Sequence, residues 1–157
     1  MQLKILLFNP GVGGLLAGVT IFIVCFVTAC INLRPDTYRF EARGPGSFEP
    51  GLARYIRLVE IILGLGTGSI VVLASSSILR SGGQLPGAYG SPLVLLATSV
   101  ICMVSFIALL IYYYEESLHD ANFYTHHKIR LVTALGFAGL LCFASGYIWL
   151  GFALVRH

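Results

Sequence analysis

An all-α polytopic membrane protein, a four-transmembrane-helix bundle in a single domain, is the fold class this sequence predicts. Three observations carry that expectation. Four apolar blocks, residues 11–33, 55–79, 92–114 and 131–155, each reach the ~20 residues that a helix needs to cross ~30 Å of hydrocarbon. Asp, Glu, Lys and Arg are absent from the first, third and fourth blocks, and the second holds only Arg57 and Glu60, near its start. The connections between blocks are too short to bury a core of their own, which excludes a separate soluble catalytic or nucleic-acid-binding domain. Composition agrees: of 157 residues 57% are apolar and 11% charged, less than half the ~25% of a soluble domain. The net charge of +3 is spread thinly and forms no basic stripe of the kind nucleic acid requires. The expected partner is the lipid bilayer.

Block one follows the turn-like Asn9-Pro10-Gly11, and its apolar run is longer than the core of a secretory signal, so it reads as a retained helix. It contains Gly14-x-x-x-Gly18, a spacing that lets two helix backbones approach in lipid. The next connection, 34–53, carries Pro35, Gly44-Pro45-Gly46 and Glu49-Pro50-Gly51, which predict an extended surface segment. Block two has the same small-residue spacing at Gly64 and Gly68. The stretch from Ser81 to Ser91 is rich in Gly and Pro and is expected to be a turn. Block three ends in Tyr112-Tyr113-Tyr114, which reads as an interfacial aromatic anchor, as do Tyr55 and Trp149. Block four places Gly139, Gly146 and Ala153 seven apart, on one helix face. Packing within one bundle is the first expectation for these glycines, and a homo-oligomer face the second.

Orientation follows from charge. Seven of the ten basic residues (Arg34, Arg39, Arg43, Arg54, Arg57, Lys128 and Arg130) flank the first and third connections. Cytoplasmic flanks carry excess Lys and Arg, so residues 34–53 and 115–130 are expected in the cytoplasm and both termini outside.

The chemistry on offer is slight. Glu60 lies about 7 Å into block two, and an acidic group in a span usually faces protein or water. Arg57, three positions earlier, shares its face, and the two are expected to form a buried polar pair. Glu116-x-x-His119 has the spacing used in carboxylate-bridged metal sites, but such sites need two of these motifs and further carboxylates. Glu116 and His119 are therefore metal candidates only, and a solvated membrane-surface turn is the plainer expectation. Cys25, Cys30, Cys102 and Cys142 all lie within spans, where they read as small packing residues. Cys30, one turn from Arg34, is also a lipidation candidate. No nucleophile elbow, phosphate loop, metalloprotease helix or dinucleotide glycine pattern occurs. A non-enzymatic protein with no cofactor is expected.

One stretch resembles a known family. Ala53-Arg54-Tyr55-Ile56-Arg57-Leu58-Val59-Glu60-Ile61-Ile62-Leu63-Gly64, ending in Ala74-Ser75-Ser76, resembles the opening helix of MARVEL-domain proteins of the MAL and plasmolipin type. There a basic cytoplasmic flank leads into an aliphatic run with one Glu or Gln, then glycine and small residues. The run from Ala88-Tyr89-Gly90-Ser91-Pro92 to Tyr112-Tyr113 is similar to the family's second helix, and block four more loosely to its third. The likeness covers roughly residues 50–150, with block one preceding it. It implies membrane apposition, lipid-domain organisation or vesicle traffic.

The function expected is thus that of an integral membrane protein organising membrane or lipid domains, or assembling through small-residue helix contacts. An accessory subunit of a larger membrane complex, and a small transporter or channel using Glu60, are the alternatives.

Overall fold

The structure, a computed structural model, describes residues 10–32, 48–80, 89–119 and 126–155. Nearly all of them lie in four α-helices: α1 Pro10–Asn32, α2 Glu49–Arg80, α3 Gly90–His119 and α4 His126–Val155. Each is long and apolar enough to cross a membrane. The chain is an all-helical, multi-pass integral membrane protein.

α1 starts at Pro10, where a missing N–H goes unnoticed because the first turn has no partner for it. The other three helices outrun their apolar blocks. α2 begins at Glu49, six residues before the expected start, so Glu49-Pro50-Gly51 opens a helix where an extended segment was expected. Pro50 sits in the first turn, where proline is tolerated, and Glu49 complements the helix dipole. Leu52 N–H donates to Phe48 C=O at 2.9 Å, closing that turn. α3 begins at Gly90 and takes up Ser91, shortening the expected turn. At its far end it runs through Glu115 and Glu116 to His119, and α4 starts at His126. The expected surface turn over 115–130 is therefore helical at both ends. Nothing in that stretch breaks a helix: it has neither Gly nor Pro. Connections 33–47, 81–88 and 120–125, with Arg34, Arg39 and Arg43 among the basic residues used for orientation, lie outside the described residues.

Contacts order the bundle. α3 and α4 share the largest interface, α1 packs on both, and α2 docks chiefly on α3, touching α1 and α4 only lightly. Gly14 faces Ser91 and Gly18 faces Thr98, so α1 and α3 run parallel. Gly146 faces Leu96, Gly139 faces Met103 and Gly136 faces Phe106, so α3 and α4 run antiparallel. Two clusters form the interior. One joins Cys25 and Ala29 of α1 to Ala134 and Ala138 of α4. The other joins Val59 and Ile62 of α2 to Met103 of α3. The exposed faces are almost wholly aliphatic and aromatic, among them Leu15, Ile23, Ile31, Val72, Ile101 and Phe152, as expected where the solvent is lipid.

Polar groups within the spans are satisfied locally. The hydroxyls of Thr20, Thr28, Thr67, Ser75 and Thr98 donate to carbonyls four residues earlier in their own helices. Two others reach across. Ser99, fully buried on α3, donates to Gly139 C=O of α4 at 2.8 Å. Tyr147 of α4 donates to Leu65 C=O of α2 at 2.9 Å and hydrogen-bonds the Ser69 hydroxyl.

Candidate functional site

The six glycines singled out for packing divide into two groups. A Cβ on Gly14 would lie 2.7 Å from the backbone oxygen of Ser91, and one on Gly139 would lie 2.8 Å from Met103 Cε. On Gly18 it would meet Thr98 Cγ2 at 3.3 Å, and on Gly146 Leu96 Cδ2 at 3.1 Å. The clash at Gly14 is with main chain, so no rotamer change relieves it. A Cβ on Gly64 or Gly68, in contrast, would meet no neighbouring atom within 4 Å. The expectation that these two pack inside the bundle is corrected: the glycine of α2 that faces a neighbour is Gly66, 3.3 Å from Val100 Cγ2 by the same measure. A four-residue spacing puts two glycines on one face without saying which face is turned inward.

Arg57 and Glu60 are corrected as well. Both are exposed, and among the described residues no ion pair joins them. On a helix of 3.6 residues per turn, Arg57, Gly64, Gly68 and Ser75 lie along the middle of α2's outward face. Glu60, Thr67 and Val71 flank them on one side, Ile61 and Val72 on the other; all are exposed. Val59 and Ile62, turned the opposite way, are buried against α3. Glu60 lies about 16 Å along α2, deeper from the helix start than expected because the helix begins at Glu49. An ionised group in the middle of a span costs about 2.5–3.5 kcal/mol on insertion scales, falling toward the interface. The outward face of α2 thus combines three charges, Arg54, Arg57 and Glu60, and two bare glycines on the least enclosed helix of the bundle.

A second polar group closes the α3–α4 end. Lys128 Nζ lies 3.8 Å from Glu116 Oε2 and 5.3 Å from the Tyr113 ring centroid. Glu116 Oε2 is buried and accepts no hydrogen bond, so the ion pair is what offsets its desolvation. Next to it Tyr114 is buried, its ring 5.4 Å from Phe48. The tyrosine triad is therefore not a uniform interfacial anchor: Tyr112 faces out and Tyr114 packs inward. Tyr55 is exposed and edge-on to Phe106, and Trp149 is exposed on α4. Among the described residues no group of three or more His, Cys, Asp or Glu is placed to hold a metal ion; Glu116 faces Lys128, and of His119 only its place at the end of α3 is described.

The four thiols are free. Cys25, Cys102 and Cys142 are buried among α1, α3 and α4, and Cys30 is partly exposed, two residues before the end of α1. Two interhelical contacts, Ser99 to Gly139 and Tyr147 to α2, were not anticipated. A tyrosine inside an apolar block is the signal for the second, since its hydroxyl must find a partner in lipid.

No family model, curated protein or solved structure matches the chain.

Proposed function

We propose that this is a non-enzymatic integral membrane protein that works by lateral assembly, organising the membrane around it through helix–helix contact. The observation that carries the reading is α2's outward face, where Gly64 and Gly68 are bare and Arg57 and Glu60 stand exposed beside an apolar surface. Lipid gains nothing from a bare glycine pair and opposes a charge, whereas a neighbouring helix can pack on the first and pair with the second. The resemblance of blocks two and three to MARVEL-domain proteins supports the same reading. An accessory subunit would use the same face toward a different protein.

Crosslinking in native membranes, followed by mass measurement in mild detergent, tests assembly. The expected result is a discrete species heavier than one chain, and a lone monomer under both conditions overturns the reading. Reconstitution tests the transporter alternative: proton or cation flux from the purified protein, abolished by Glu60→Gln, would replace assembly with transport. Residues 34–53 and 115–130 are proposed to face the cytoplasm, supported by the basic residues around them. With a single added cysteine on a cysteine-free background, impermeant reagent outside intact cells should label Gln84→Cys and not Ser47→Cys; the reverse pattern inverts the orientation.

A further inference from the structure

We infer that the occupant of α2's outward face is a second copy of this chain, packed α2 against α2 about a two-fold axis along the membrane normal. The inference rests on the assembly reading and names its partner. Charge decides it. A two-fold contact brings one surface against itself, so that surface must carry its own complement. α2 does: Arg57 and Glu60 are on the same exposed face, three residues apart, and among the described residues no ion pair joins them within the chain. In a parallel α2 pair their axial offset is about 4.5 Å, within the reach of an arginine side chain. Each Arg57 then meets the other copy's Glu60, and two ion pairs form, with Arg54, exposed one turn nearer the helix start, left at the edge of the contact. A different partner would need an acid and a base of its own at that same offset.

The rest of the face fits close approach. Gly64 and Gly68 lie one and two turns beyond Glu60, with open space above both. Their missing side chains let two backbones draw near at the level where the chains cross. Thr67 beside them already donates to Leu63 C=O, so its hydroxyl brings no unmet need into the contact. The opposite side of α2 holds Val59 and Ile62 against α3, so pairing through the outward face leaves the bundle interior undisturbed.

The test uses the full chain in lipid vesicles, with self-association read by energy transfer as the protein-to-lipid ratio is varied. Arg57→Glu and Glu60→Arg should each weaken association about tenfold or more, and the double reversal should restore it, because the swapped surface is again self-complementary. Gly64→Leu with Gly68→Leu should abolish association while the helical circular dichroism stays unchanged. In a Cys30→Ser background, Val71→Cys should form a disulfide-linked dimer on oxidation and Ile148→Cys, exposed on α4, should not. Crosslinking at Ile148 but not Val71, association indifferent to both reversals, or capture at Val71 of a different membrane protein with no self-crosslink would each overturn the two-fold α2 contact while leaving assembly standing. A monomer at every ratio, with no crosslinked species in native membranes, overturns both.

Discussion

Two small-residue faces in this molecule have opposite fates. On the seam that α4 presents to α3, Gly139 and Gly146 are buried under Met103 and Leu96; a single added carbon would collide at Gly139 and be crowded at Gly146. On α2, Gly64 and Gly68 have the closer spacing and the more familiar pattern, yet open space surrounds them. The difference is one of companions. Gly139 and Gly146 share their face with Cys142 and Ala153, both buried, so the smooth stripe continues along the helix and a long neighbour can follow it. Gly64 and Gly68 share theirs with Arg57 and Glu60, which no ion pair among the described residues engages. Small residues permit approach, and the chemistry around them decides which partner can approach.

The largest expected effect sets the two faces directly against each other. Gly14→Leu drives a side chain into the backbone of α3 and should destabilise the folded monomer by about 1–3 kcal/mol or more. Gly64→Leu with Gly68→Leu should leave it within about 1 kcal/mol, since their Cβ atoms meet nothing and leucine is the better helix former. Reversible unfolding in mixed micelles, under conditions that keep the chain monomeric, measures both. Equal losses would erase the distinction between a covered and an open face.

A smaller effect concerns how α2 is held. Tyr147→Phe keeps the ring against Phe143 but removes the hydroxyl shared by Leu65 and Ser69. The expected loss is about 0.6–1.7 kcal/mol. Hydrogen exchange should show it as faster opening of α2, with α1, α3 and α4 unchanged. Faster exchange throughout the bundle would mean that α2 is as integral as the other three. Smallest of all, Ser99→Ala deletes one bond across the α3–α4 seam and should cost about 0.6 kcal/mol in the same micelle titration. A loss several times larger would show that this seam relies on its buried hydroxyl more than on its glycines.

The spans were legible in the sequence because uncharged apolar stretches of that length have few other uses. Their ends were not. Glu115, Glu116, Lys128 and Arg130 mark where hydrocarbon should stop, but a helix runs on past that point where no Gly or Pro breaks it, and the capping residues Asp120, Asn122 and Thr125 lie further along the connection. Pro50 misled in the opposite sense: a proline that ends a helix from within can begin one from its first turn. At the candidate site the residue types were visible and their directions were not. Arg57 and Glu60 have the spacing of an intrahelical pair, yet spacing does not set rotamers or say which side of α2 its neighbours occupy. Ser99 was unremarkable among several span hydroxyls, most of which do turn back on their own helix.

The placement of α1 has a consequence for the order in which the chain assembles. Its core partners, Ala134 and Ala138, come from α4, which is synthesised after α2 and α3, and α2, the helix that follows α1 in sequence, barely touches it. Joining α1 to α4 closes a loop that spans α2 and α3, a non-local pairing whose entropic penalty falls late. The hairpin of α3 and α4, joined by a short connection and sharing the largest interface, forms with far less delay. Among these four helices synthesis runs from α1 to α4, whereas contact order favours consolidation from α4 back to α1, so α1 is expected to be the last of the four to find its place.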